Sequence, residues 1–370
     1  MDHEVDYANG PLWAARLLPW CSSQDSFVRD STSGDAEVAK FPHTCHIVLF
    51  FCHFITDGHS CIRIVRSILS MFNAILNEND IDDSEQIATL LDISREGQLR
   101  ALMKKKLSDD PKLLSSKTDL LKSHFGATQI EKLYPVAPML KPKTVTLTHV
   151  VPEEKTMKFI SKCKHEGVTV HLGFTALLDR AIAELLAEKG FAEASLQIAS
   201  GHSVDLRSYY ENCVDEFGFG VSFLFSSEKH KLEQDFWDVA RKYQAHFKQN
   251  FKDQALFEMD VIEELTGYTP LALTSPEGQE HPSDNCIYYA TTNMRDITGL
   301  VGNCGENIQL EYIDRLTSVQ LYQTLWLSSF QTFRGRFLHS LQYNSHVTSA
   351  ETAQKYSQKL FSLMEKVTLS

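Results

Sequence analysis

The sequence predicts an α/β fold, of the mixed α+β kind, divided into two subdomains. Three observations carry this reading. Strand-length apolar runs interleave with amphipathic helical stretches from one end of the chain to the other. The chain has 370 residues, more than a single hydrophobic core usually organises. A connector broken by Pro135, Pro138 and Pro142 separates two halves, so residues 1–140 form the first subdomain and residues 141–370 the second. With 43% hydrophobic and 23% charged residues and no internal repeat, the composition supports a sizeable core and argues against disorder.

In the first half, Leu12 to Leu18 predicts a strand, and a polar loop rich in Ser, Asp and Gly follows it. Cys45 to Ile55 is apolar on both faces and rich in Val, Ile and Phe, the pattern of a strand buried inside a sheet. Directly after Asp57 and Gly58 the period changes. Cys61, Ile62, Val65, Ile68, Leu69, Phe72, Ile75 and Leu76 recur at helical spacing, with Ser60 placed as the N-cap. Asp80 to Lys143 reads as charged helices and the connector.

In the second half, Val145 to Val151 predicts a strand and Glu153 to Lys164 a helix whose acidic start suits the helix dipole. A long amphipathic helix runs from about Leu172 to Lys189 and is closed by Gly190. Ser195 to Leu206, Val221 to Phe225, Cys286 to Asn293 and Phe337 to Tyr343 read as strands. Glu233 to Phe251 and Ser349 to Val367 read as helices.

The formal net charge of −12 disfavours nucleic acid and anionic membranes as partners, because both require a basic face. The lysines at 104–106 and at 141 and 143 read as a solvated connector, with a phosphate-bearing ligand as the sharper alternative. No apolar stretch is long enough to span a bilayer, and the acidic N-terminus lacks the layout of a signal peptide. The eight cysteines are scattered without a C-x-x-C pair, and no N-glycosylation sequon occurs. Both absences fit a reducing cytoplasm.

The run His53-Phe54-Ile55-Thr56-Asp57-Gly58 is the feature that carries chemistry. Three fixed positions alone are a modest signal, since chance supplies them in roughly a few per cent of chains this long. The setting strengthens it, because a tight turn between a strand and a helix holds side chains rigidly. From position alone, His53 is either a core histidine satisfied by a backbone carbonyl or a general base. His43, Cys45, His46, Cys52, His59 and Cys61 surround it, but without the paired spacings of a zinc site. Strand alternation sends Cys52 and His53 to opposite faces. Neither a bound metal nor a Cys–His nucleophile is therefore expected.

The order of these features resembles the chloramphenicol-acetyltransferase-like superfamily. That group includes BAHD plant acyltransferases, alcohol acetyltransferases and the condensation domains of peptide synthetases. Besides the His53 motif, Glu166-Gly167-Val168-Thr169-Val170 looks like the family's entry to a second-half helix. Val204-Asp205-Leu206-Arg207, followed by Phe217-Gly218, is similar to the family's Asp/Asn-x-Arg strand and the glycine loop after it. Tyr343-Asn344 before the last helix fits the family's ending, and the resemblance covers most of residues 11–367.

The resemblance implies two subdomains, each a mixed sheet flanked by helices, with an active-site tunnel between them. It implies acyl transfer from an acyl-CoA co-substrate to a small-molecule alcohol or amine, with no bound cofactor. His53 would be the general base. An ordinary imidazole is largely neutral at pH 7, and such a base is typically worth about 10²–10⁴ in rate. Asp57, the second member of the motif, would turn away from the tunnel and pair with Arg207, with Asp205 nearby, so that the pair aims His53. A bidentate Arg–carboxylate pair makes such burial tolerable. Gly58 would let the backbone turn sharply.

Thr292 and Asn293 are candidates for oxyanion or substrate contacts. The Asp-Phe-Gly-Trp-Gly loop of the BAHD branch is not found, since Phe217-Gly218-Phe219-Gly220 lies where the family's other glycine loop belongs. Cys52 stands where condensation domains usually carry a first histidine, which favours CoA over carrier-protein donors. A monomer is the expected state. Two alternatives stay open, the first because fewer residues precede His53 than in most family members. One is a weak or inactive protein that uses the fold for binding, and the other is a condensation-type enzyme with a carrier-protein thioester.

Overall fold

The computed structural model describes residues 9–19, 43–53, 55–81, 94–136, 143–191, 196–210, 217–230, 233–268, 286–302, 305–319 and 324–369. Phe54, Pro138, Lys141, Pro142 and the polar loop before Cys45 lie outside them. In chain order the elements are β1 (Trp13–Pro19), β2 (Cys45–Phe51), α1 (Gly58–Leu76), α2 (Ser94–Asp109), α3 (Pro111–Ser123) and α4 (Gln129–Leu133). Then come β3 (Thr144–Val151), α5 (Glu153–His165), α6 (Val170–Ala187), β4 (Leu196–Asp205), β5 (Val221–His230), α7 (Phe236–Lys252) and α8 (Glu258–Thr266). The chain continues with β6 (Ile287–Asp296), α9 (Thr298–Val301), β7 (Thr324–Phe333), β8 (Arg336–Asn344) and α10 (Ala350–Leu369). No helix among the described residues is long and apolar enough to cross a membrane.

The chain forms two compact units, each discontinuous in sequence. Unit 1 holds residues 1–93, 210–220 and 296–313, and unit 2 holds the remainder. In unit 1, β1 and β2 pair antiparallel, with Trp13 opposite Phe51 and Leu17 opposite Ile47. The expected strand from Cys45 to Ile55 is corrected here. It stops at Phe51, and Cys45 and Ile47 are exposed. A continuous apolar run fits a doubly covered strand, yet this one sits in a two-stranded sheet.

The helix cap is also corrected. Asp57, in extended conformation, caps α1 by accepting from the Ser60 amide, so Ser60 lies inside the first turn and is not the cap. Near the other end of α1, the buried Asn73 amide donates to the Leu69 carbonyl and accepts from the Asn307 amide at 3.1 Å. Gly305 packs against that side chain with φ +93°. A Cβ there would come within 2.5 Å of Asn73, so only glycine fits.

Unit 2 contains a six-stranded mixed sheet in the order β3-β8-β7-β6-β4-β5. β3 and β7 run antiparallel to β8, β5 runs antiparallel to β4, and β6 runs parallel to β4. α6 is its central helix, buried along most of its length from Leu172 to Leu186. Phe174 on α6 lies 4.7 Å from Phe330 and 4.9 Å from Phe337, ring centre to ring centre. Trp326 stacks on Tyr356 of α10 at 4.1 Å. The opposite face of the same strands is polar. There Asp314 accepts from Thr148 and Ser340, and the Arg315 guanidinium donates to Gln331 and Thr292.

Covering on both faces explains why β7 escaped the sequence reading. A strand buried on both sides shows no alternation, and Thr324–Phe333 mixes Trp326 and Phe330 with Ser328, Ser329 and Gln331.

Burial keeps several histidines neutral. It pushes His339 down to about 3, His124 to about 4 and His202 well below 6.5. An unfolded chain takes up protons near 6.5 that these folded rings refuse. Stability therefore falls as pH drops from 6.5, by up to about 1.4 kcal/mol per pH unit for each ring. Urea midpoints taken at about pH 7, 5.5 and 4.5 should decline, and His339→Gln should flatten that decline. An unchanged slope in the variant would show that His339 does not titrate against folding.

Candidate active site

The site begins with a turn. The Cys52 amide donates to the Leu12 carbonyl at 2.7 Å, the last link to β1, and the Ile55 amide then donates back to the Cys52 carbonyl at 3.1 Å. This bond closes a turn that starts at Cys52, with His53 next in the chain. Cys52 is buried and His53 exposed. Among the described residues the imidazole makes no hydrogen bond, and its ring contact is edge-on to Phe219, with centroids 5.6 Å apart and planes at 68°.

Other histidines of the chain show what a satisfied core imidazole looks like. His202 is fully buried and holds Ser200 Oγ and Thr291 Oγ1, each at 2.9 Å. His53 has neither that burial nor such partners, and its ring meets solvent.

Asp57 is 1% exposed, and both carboxylate oxygens are in use. Oδ1 accepts from the Ser60 amide at 2.9 Å and Oδ2 from the Gly220 amide at 3.0 Å. One turn further along α1, Ser60 Oγ donates to the Gly218 carbonyl at 3.0 Å and accepts from the Gly218 amide at 3.1 Å. A further turn on, the Arg63 guanidinium lies 4.4 Å over the Phe217 ring. Residues 57, 60 and 63 share one helix face, and they bind the 217–220 loop in reverse order. In sequence this loop stands out only for its glycines. Its attachment to α1 links positions more than 150 residues apart, and no local pattern signals it.

Unit 2 holds the predicted residues Asp205, Arg207, Thr292 and Asn293. Arg207 follows β4 in a short turn, is 7% exposed, and donates through its amide and its guanidinium to Asp205 Oδ1 at 3.0 and 3.2 Å. Thr292 lies within β6, where its hydroxyl and carbonyl receive the Arg315 guanidinium at 3.2 and 3.3 Å. Asn293 accepts from the Arg295 amide at 2.7 Å, which caps a local turn. Thr291 points the other way, to His202. Gly58 is the first residue of α1.

No protein-family profile matches this chain, and no curated protein is detectably similar in sequence. Solved structures do match. The trichothecene 15-O-acetyltransferase of Fusarium sporotrichioides aligns with a TM-score of 0.63 at 13% identity, over 88% of this chain and 67% of that one. The PapA2 acyl transferase aligns at 0.60 and 14% identity, over 88% and 65%. A condensation domain that releases chains from the enacyloxin polyketide synthase aligns at 0.53 and 13% identity, over 88% and 58%. The chain has the chloramphenicol-acetyltransferase-like fold. It spans roughly two thirds of the length of such neighbours. At these identities the likeness is one of fold, so the acyltransferase fold supplies the frame and the residues must supply the chemistry.

The paired bonds on Asp57 set a measurable expectation. Asp57→Ala removes a helix cap and strands the Gly220 amide, which should lower unfolding free energy by about 2–4 kcal/mol. Overlapping urea curves for variant and parent would show that the carboxylate holds nothing.

Proposed function

We propose that this chain is an acyltransferase that moves an acyl group from an acyl-CoA thioester to a small-molecule alcohol or amine, with His53 as general base. The observation that carries the reading is the placement of His53. It is an exposed imidazole on a closed turn, next to a helix start fixed by Asp57. Rigid mounting beside solvent is what proton transfer to and from a small substrate needs. Fold neighbours described as an acetyltransferase and an acyl transferase add support.

In the step we envisage, His53 takes the proton as the acceptor's oxygen or nitrogen attacks the thioester carbon. The C–S bond then breaks, and the imidazolium returns the proton to the departing thiolate. The products are an ester or amide and free CoA thiol, and no covalent enzyme intermediate is needed. Thr292 and Asn293 remain the proposed contacts for the developing oxyanion. Arg207 is the proposed charge partner of Asp57.

A second reading has support of its own. A condensation domain that releases chains from a polyketide synthase shares the fold, and for that branch the sequence resemblance implies a carrier-protein thioester as donor. A thiol-release assay with acyl-CoAs of several lengths, run beside acyl-pantetheine carrier-protein donors, separates the two. Release from CoA donors that falls by about a hundredfold or more in His53→Ala is expected. Normal turnover by that variant would sink the assignment of the base.

The Asp57–Arg207 partnership is tested separately by a double-mutant cycle on Asp57→Ala and Arg207→Ala. A coupling of about 1 kcal/mol or more in unfolding free energy is expected, and simple additivity would reject the pair.

A further inference from the structure

A general base is ordinarily aimed by a partner on its second ring nitrogen. Among the described residues, His53 has no such hydrogen bond, and its one ring contact is with Phe219. Phe219 is 43% exposed, so it is not held in place by burial. Its backbone is held instead. Gly218 on one side is gripped at both amide and carbonyl by Ser60, and Gly220 on the other side donates to Asp57. Phe217 lies under the Arg63 guanidinium. Three successive turns at the start of α1 therefore clamp the residues that bracket Phe219, and the same helix begins six residues after Cys52, where the His53 turn starts.

We propose that Phe219 is a positioning residue for His53, its ring edge limiting rotation of the imidazole so that the proton-accepting nitrogen stays aimed at the acceptor. The contact replaces the hydrogen-bonded orienter that other general-base histidines use. Edge-to-face aromatic pairs are of a strength that corresponds to about a three- to tenfold bias towards one orientation. Loss of Phe219 should therefore reduce kcat by about that factor and leave KM nearly unchanged, since the contact aims the base and does not bind substrate.

This inference rests on the reading of His53 as the base, so its test has an arm that needs no turnover. Histidine ring resonances are recorded on ring-labelled protein, and the His53 signal is identified by its loss in His53→Gln. Phe219→Leu keeps the apolar bulk and removes the ring current, and Phe219→Tyr keeps the ring. The expected result is a His53 signal that shifts in Phe219→Leu and returns in Phe219→Tyr, with kcat following the same order and melting temperatures unchanged. A His53 signal indifferent to Phe219→Leu overturns the contact. A shifted signal with undiminished kcat overturns the positioning role. If the parent protein turns over no donor at all, the acyl-transfer reading falls. The resonance arm then still decides whether Phe219 holds the ring.

Discussion

The carboxylate of Asp57 is the fixed point on which unit 1 depends. A buried anion is costly unless its oxygens are satisfied. Here one oxygen starts α1 through the Ser60 amide and the other secures the Gly220 amide, which belongs to a part of the chain far away in sequence. The same few atoms therefore fix the direction of the helix, the end of the turn that carries His53, and the seat of the 217–220 loop. A serine or asparagine could cap the helix, but neither offers two anionic oxygens in a fork to two separate amides.

That fork explains a division of labour between two motif residues that look interchangeable on paper. Asp57 is acidic and close to His53 in sequence, yet both its oxygens are taken up by backbone donors, which leaves the exposed imidazole as the group free to exchange protons. The contrast with unit 2 sharpens this. There, buried imidazoles are tied to hydroxyls and kept neutral by desolvation, as His202 and His339 show. Burial and hydrogen bonding set these structural histidines apart from the exposed His53.

Much of the fold was legible from residue patterns. The strand at Leu12 to Leu18, the helix after Gly58, the long helix closed by Gly190 and the last strand and helix all follow from residue type, periodicity and punctuation. What escaped had physical reasons. β7 is covered on both faces, so its pattern carries no period. β2 is largely apolar, yet among the described residues it lies in a two-stranded sheet with part of its surface in water. The cap of α1 moved from Ser60 to Asp57 because two good capping residues lie within one turn, and only backbone geometry chooses between them.

The sequence by itself determined the alternation of strands and helices and the sharp change of period between β2 and α1. Those are local matters, fixed by residue spacing within a few turns of chain. Only the tertiary structure decided that residues 210–220 and 296–313 belong with the first ninety. It also decided that Asp57 and Ser60 grip the Gly218 and Gly220 backbone, and that Phe219 lies edge-on to His53. Contacts between segments more than 150 residues apart depend on how the whole chain closes, and no local pattern of side chains records that closure.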